Sequence, residues 1–193
     1  MSRENILAGI KKNQPENRVL PVLTGLNQST YNPLEQFKTV LQGIGGEAIE
    51  VGNYQEIKDI IAKNYQSSDR IITTLPDFGD IAENNWQTED PHTLENVELC
   101  IIRAHFGVAE NSALWVTEDI LGLRVAPFIC QNLAVIIPKN EIEPTMHEAY
   151  KRIAMAEYGF GTFIAGPSKT ADIEQSLVLG AHGSKSMVVF LVG

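Results

Sequence analysis

Asn32-Pro33-Leu34-Glu35-Gln36-Phe37-Lys38-Thr39-Val40-Leu41-Gln42-Gly43-Ile44-Gly45-Gly46-Glu47-Ala48-Ile49-Glu50-Val51 reads as a helix running directly into a strand. A capping Asn followed by Pro at the first helical position opens the helix. Leu34, Phe37, Leu41 and Ile44 keep one apolar face, and Gly45-Gly46 stops it. The pattern then repeats. Asn53 caps a second helix with Glu56 three residues on, as in a capping box, and Ile57, Ile60 and Ile61 face inward. Arg70 to Leu75 follows as a strand. Helix–strand alternation of this kind predicts a parallel sheet with helices packed on it.

Before this unit, Ser2 to about Lys12 predicts a short helix with Ile6, Leu7 and Ile10 on one face, broken at Asn13 to Asn17. The chain is therefore read as an N-terminal helical segment over 1–30 and a single α/β domain over 31–193. The segment is peripheral, docked on the domain or used between subunits of a homo-oligomer.

Beyond Leu75, the polar stretch from Asp77 to Glu95 reads as a long loop with a helical turn after Asp90-Pro91. Val97 to Ala104 predicts a strand, which Ala113 to Val116 continues or follows. Asp119 to about Pro127 reads as a helical turn or short helix. Leu133 to Ile137 predicts a buried strand, and Glu143-Pro144 the opening of a helix ended by Gly159. Thr162 to Ala165 predicts a strand, Thr170 to Leu179 a short helix, and Met187 to Val192 the closing strand.

Composition narrows the function. The 193 residues are 44% hydrophobic and carry a formal net charge of -9, so the chain can bury a core and its surface repels phosphate backbones and anionic membranes. No apolar run approaches the ~20 residues of a membrane span, and Met1 to Asn5 does not open a signal peptide. The expectation is a cytoplasmic protein with no nucleic-acid partner and no membrane insertion. Two cysteines, Cys100 and Cys130, each stand among apolar residues and read as buried free thiols. They are too few for an iron–sulfur cluster held by this chain alone. The four histidines form no HExxH or Cys/His cluster, so no metal site is expected. No Gly precedes Lys169-Thr170 as a P-loop requires, and Gly43-Ile44-Gly45-Gly46 precedes a strand instead of opening a helix. Neither is a nucleotide signature, and the cofactor stays unknown.

The chemistry is expected near the C-terminus. Gly166-Pro167-Ser168-Lys169-Thr170-Ala171-Asp172-Ile173-Glu174 places small and ionisable residues between two apolar strands, and Gly180-Ala181-His182-Gly183 follows. Loops outside the carboxyl ends of parallel strands are where α/β folds keep their sites. If a helix starts here, its free N–H groups, with Ser168, Lys169 and Thr170 beside them, suit a small anion. Ser168 or Thr170 as a cap, with Asp172 and Glu174 against the helix dipole, explains the same residues without a ligand. His182 reads either as a turn residue or as an acid–base group, and Glu110 as a bulge residue or a carboxylate with chemistry.

From about Cys100 to Val192 the chain resembles the LUD (lactate-utilisation) domain family, and within it lactate-utilisation protein C. The likeness rests on Ile164 to Glu174 and on Leu177-Val178-Leu179-Gly180-Ala181-His182-Gly183. It implies a three-layer α/β/α fold with a mainly parallel sheet, related to ribose-5-phosphate isomerases, glucosamine-6-phosphate deaminases and CoA transferases. It also implies an accessory subunit without clusters in the oxidation of L-lactate to pyruvate, working beside iron–sulfur lactate-utilisation proteins. The implied site has Asp172, His182 and Glu110 as catalytic groups, and Gly166, Ser168, Lys169, Thr170, Glu174 and Gly183 holding a small anionic ligand. Two departures stand out. Ser184 replaces the usual Pro after His-Gly, and Ala109-Glu110-Asn111-Ser112-Ala113 replaces an acidic turn that usually ends Thr-Gly-Thr. The alternatives are a stand-alone sugar-phosphate isomerase or CoA transferase-like enzyme, and a purely structural subunit.

Overall fold

The structure is a computed structural model that describes residues 2–16, 18–19, 30–154, 156–171 and 177–193. Helix α1 (Arg3–Lys12) is capped by Ser2, whose side chain accepts from the Asn5 amide, and it buries none of its residues. Ile6, Leu7 and Ile10 are all exposed.

The chain then builds α2 (Pro33–Gly43), β1 (Glu47–Val51), α3 (Tyr54–Asn64) and β2 (Ile71–Thr73). Both predicted caps form. Asn32 Oδ1 accepts from the amides of Leu34 and Glu35, and Asn53 Oδ1 accepts from the Glu56 amide. Each ties off orphan donors of a first turn. Next come β3 (Leu99–Arg103), β4 (Phe106–Val108), β5 (Leu114–Thr117), the single turns α4 (Glu118–Leu121) and α5 (Ala126–Ile129), and β6 (Asn132–Pro138). The rest is β7 (Ile142–Glu143), α6 (Met146–Ile153), β8 (Gly161–Ile164), β9 (Lys169–Ala171), β10 (Leu177–Leu179) and β11 (Ser186–Val192).

The central sheet has the order β1-β11-β6-β3-β2, and every pairing in it is parallel. Its inner strands read as unbroken apolar runs because both faces are covered. Leu99, Ile101, Ala134, Ile136 and Phe190 turn to a core under α3, with Ile57 and Ile61. Their alternates Cys100, Ile102, Leu133, Val135, Met187, Val189 and Leu191 turn to the larger core with Phe37 and Leu41 of α2. The fold is thus mixed α/β around a mainly parallel sheet. Cys100 and Cys130 are both buried and unpaired.

Several expectations need correction. Sequence reading missed the second sheet, ordered β7-β4-β5-β8 and mostly antiparallel, because its strands are two to four residues long. Strand β8 belongs to this sheet, not to the parallel one. The stretch from Asp77 to Glu95 does carry the expected helical turn, at Pro91–Leu94 after the capping Asp90, but it is also well packed: Trp86 is fully buried and its indole N–H donates to Thr73 O at 2.9 Å. Helix α6 starts after Thr145, whose hydroxyl caps it, two residues later than Glu143-Pro144 implies, because Glu143 is spent in β7. Most important, no helix begins at Thr170. Lys169–Ala171 and Leu177–Leu179 form an antiparallel ladder, with Leu179 opposite Lys169. The acidic first turn had suggested helix, but the flanks Lys169-Thr170-Ala171 and Leu177-Val178-Leu179 contribute β-branched residues to a hairpin instead.

Candidate functional site

The Gly166 tract and His182 do come together, but not where the sequence reading put them. The Ser168 amide donates to Ser184 O at 2.9 Å, the Gly180 amide donates to Ser168 O at 3.1 Å, and the His182 amide points to Ser168 Oγ at 3.4 Å. A Cβ on Gly183 would lie 3.2 Å from Ser168 Cβ, so the glycine lets the two turns close on each other. Gly166 is buried with φ +69°, and a Cβ there would lie 2.9 Å from Ile44. The Lys169 ammonium lies over Gly45, just beyond the C-terminal end of α2, where a cation complements the helix dipole. Thr170 sits within β9. Lys169 and His182 are exposed. Asp172 and Glu174 lie outside the described residues.

This assembly lies at the amino end of the parallel sheet. Its turn runs directly into β11, and the Lys185 amide bonds Gln131 O just ahead of β6. The expectation that the tract borders the carboxyl ends of the strands is therefore overturned, because a loop that precedes a strand must meet its amino end. The expected helix-start anion cradle is likewise absent at Ser168 to Ala171, where the backbone amides enter a strand ladder.

Glu110 is placed by the turn between β4 and β5. Its carboxylate accepts the Met146 amide at 2.8 Å, at the first turn of α6. Ser112 is buried with φ 55°, and its hydroxyl donates to Phe37 O at 2.8 Å. The Ser112 departure thus joins this turn to α2, while Asn111 Oδ1 accepts from the Ala113 amide at 3.1 Å within the turn.

The opposite end of the sheet holds a different group. β3 ends at Arg103, and two residues later His105 begins the crossing to β4. The His105 amide donates to Trp115 O at 2.9 Å, which sets the imidazole beside the end of β5. There His105 Nε2 meets Thr117 Oγ1 at 2.5 Å, and the Thr117 hydroxyl donates to Asp119 Oδ1. His105 Nε2 and Asp119 Oδ1 are 3.9 Å apart. A hydroxyl has one proton; given to Asp119, it leaves the oxygen to accept from His105 Nε2–H. The chain therefore fixes the imidazole tautomer, and Nδ1 has no hydrogen-bond partner among the described residues. The Thr117 hydrogen bond, followed by the nearby His105 and Arg103, holds the Asp119 carboxyl below the usual range. Burial pushes the His105 pKa down; Asp119 pulls it up, while Arg103 and Arg152 push it further down.

Two cavities share His105 and Arg152. One, of about 270 Å³, has Trp115 and Tyr158 as walls, with Thr117 and Asp119 at its side. The other, of about 360 Å³, opens over Arg103, Pro138 and Val192, the carboxyl ends of β3, β6 and β11. Arg152 is fixed by Glu141 at 2.5 Å and Glu143 at 3.0 Å and stacks 4.6 Å from the Phe106 ring centroid. Arg103 makes no ion pair with any described residue. Among the described residues no cluster of His, Cys, Asp or Glu is arranged to hold a metal, and no helix is long and apolar enough to cross a membrane. Sequence reading missed this group. Its one signal was a histidine two residues past an apolar parallel strand; Thr117 and Asp119 resembled an ordinary cap.

The family model for the LUD domain matches residues 34–192, and the chain belongs to that family. It is 31% identical over 101 residues to lactate utilization protein C 1 of Bacillus mycoides, a match covering 49% of this chain and 43% of that protein. It is 29% identical over 104 residues to lactate utilization protein C of Oceanobacillus iheyensis, covering 51% and 45%. Each match thus spans less than half of the relative's length. A DUF162 family protein from Deinococcus radiodurans shares the fold, with a TM-score of 0.65 at 17% identity over 83% of this chain and 96% of that one.

Proposed function

We propose that this LUD-domain chain is an accessory protein of lactate utilisation, acting in the cytoplasm beside iron–sulfur partners in the oxidation of L-lactate to pyruvate. The observation that carries the reading is the family match over 34–192, together with relatives named for lactate utilisation. Two buried thiols fall short of the four that a cluster normally takes, which supports placing the electron-carrying centres on partner proteins.

Within this reading a small anionic ligand or a partner's anionic group meets the paired turns at the amino end of the sheet. Lys169 and Thr170 lie in β9 with Ser168 just ahead of it, and His182-Gly183 lie in the bend after β10, with Gly166 setting the first turn. Asp172 and Glu174 continue the same tract in sequence, and Asp172 and His182 are the proposed proton-handling groups. Glu110 is engaged with the Met146 amide, which makes it a positioning residue for α6 in this scheme.

The test is L-lactate oxidation by the reconstituted partner proteins with and without this chain. A rate that depends on the chain, and that falls with Lys169→Ala and His182→Ala, supports the reading. Equal rates and equal assembly without it reject the accessory role.

A further inference from the structure

We infer that the cleft at the carboxyl ends of β3, β6 and β11 binds a small carboxylate bearing a hydroxyl on its α-carbon, with Arg103 taking the carboxylate and His105 Nδ1 the hydroxyl. This site is separate from the turn pair at the other end of the sheet, and it rests on four observations.

The first is position. The cavity opens where parallel strands end, and Arg103 is the last residue of β3. In open α/β sheets this is where ligands settle. The second is charge. Arg152 is already held by Glu141 and Glu143, whereas Arg103 has no ion-pair partner among the described residues. A guanidinium presents a planar fork that matches a carboxylate with two parallel hydrogen bonds. The third is the chain from Asp119 through Thr117 to His105. It commits Nε2 as a donor, and so leaves Nδ1 of the neutral ring as an acceptor. An acceptor beside a carboxylate pocket takes the hydroxyl of a 2-hydroxy acid, but not the carbonyl of a 2-oxo acid. The fourth is size. The cleft of about 360 Å³ suits a small organic acid, and Ile136, Pro138 and Val192 supply an apolar wall for its carbon chain.

The preference for the hydroxy acid is a property of the neutral ring. Protonation makes Nδ1 a donor, and a 2-oxo acid is then accepted as well. The groups that set this balance are Asp119, through Thr117, and the cations Arg103 and Arg152; Glu141, Glu157 and Tyr158 line the same cavities.

The experiment is a titration of the full chain with L-lactate, pyruvate and acetate, read on the histidine ring resonances by NMR. His105→Gln assigns the His105 signals among those of the four histidines. The expected result is a saturable shift of His105 with L-lactate above neutral pH, and weaker binding of pyruvate and acetate. Arg103→Gln should weaken lactate about tenfold or more, the loss expected when a hydrogen-bonded charge is removed. Arg103 is exposed, so this variant should melt with the parent. Lys63→Ala, which removes an exposed cation of α3, should leave the titration unchanged. No saturable shift at His105, or the same affinity in Arg103→Gln, overturns the inference. A shift confined to His182 and abolished by Lys169→Ala overturns it equally, because the ligand is then at the other end.

Discussion

The two ends of the parallel sheet are built by different means. At the amino end the turns are held by backbone: Ser168 to Ser184, Gly180 to Ser168, Lys185 to Gln131. Of the four glycines with positive φ among the described residues, Gly45, Gly166 and Gly180 are gathered here. At the carboxyl end the groups that meet are side chains: an imidazole, a hydroxyl, a carboxylate and two guanidiniums. A tract dense in Gly, Pro and Ser is explained first by conformations that other residues resist. Side-chain chemistry belongs where hydrogen bonds between side chains leave an atom unspent. The contrast teaches that the most recognisable stretch of a sequence need not be its reactive one.

The sharpest way to press on this contrast is Gly166→Ala. The new Cβ would have to adopt φ +69° and come within 2.9 Å of the Ile44 side chain. Left-handed strain and overpacking together should cost about 2–3 kcal/mol. Urea unfolding should show the midpoint falling with the slope unchanged. A loss below about 0.5 kcal/mol would mean that the amino-end turn is not backbone-controlled, and would return the Gly166 tract to a purely ligand-driven explanation.

Glu110→Ala comes next and tests the turn that links the small sheet to α6. Its carboxylate accepts an amide at the first turn of α6, where an anion also meets the positive end of the helix dipole. The expected loss is about 1 kcal/mol in the same measurement, since the Thr145 hydroxyl still caps the Glu148 amide. If the variant instead keeps its stability and loses L-lactate oxidation in the reconstituted system, Glu110 is a working carboxylate after all.

The sequence made the parallel sheet legible because its signals are local and redundant. Asn32-Pro33 and Asn53 mark helix starts by the bonds their own side chains make, and Leu133 to Ile137 is apolar on both faces because both faces are buried. The second sheet was not legible. Phe106-Gly107-Val108 is too short to show a period, and its partners are β7 and β5, chosen by packing and not by pattern. The tract from Lys169 to Leu179 misled for a related reason. An acidic run after Ser and Thr is a good helix start only where the following residues can bury an apolar stripe. Ser168 of the tract does meet the His182-Gly183 turn, but at the amino end of the sheet, and Asp172 and Glu174 lie outside the described residues. The cleft group went unread because His105, Thr117 and Asp119 become one unit only when β4 folds back on β5.

The smallest effect expected is the pH dependence of stability carried by His105. Its folded pKa lies below the ordinary value, chiefly through burial. The unfolded chain therefore takes the proton more readily, near pH ~6.5. The stabilisation from keeping the ring neutral is complete above that pH, and is lost as the pH falls through the folded pKa. Asp119 is also held low, but its contribution disappears only below about pH 4, so the two windows are separate. The ring is about one third exposed, at 35%, and solvent screening keeps the effect small. His105→Gln should flatten the dependence just below pH ~6.5 and leave the steeper acid limb intact. Asp119→Asn should do the opposite. It removes the upward pull on the imidazole, drops the folded pKa further and extends the sloping region to lower pH. Lys169→Ala and His182→Ala, at the other end of the sheet, should leave the His105 contribution unchanged. If His182→Ala removes the slope instead, the carboxyl-end chain is not what the pH senses, and the distinction between the two ends fails at its most sensitive point.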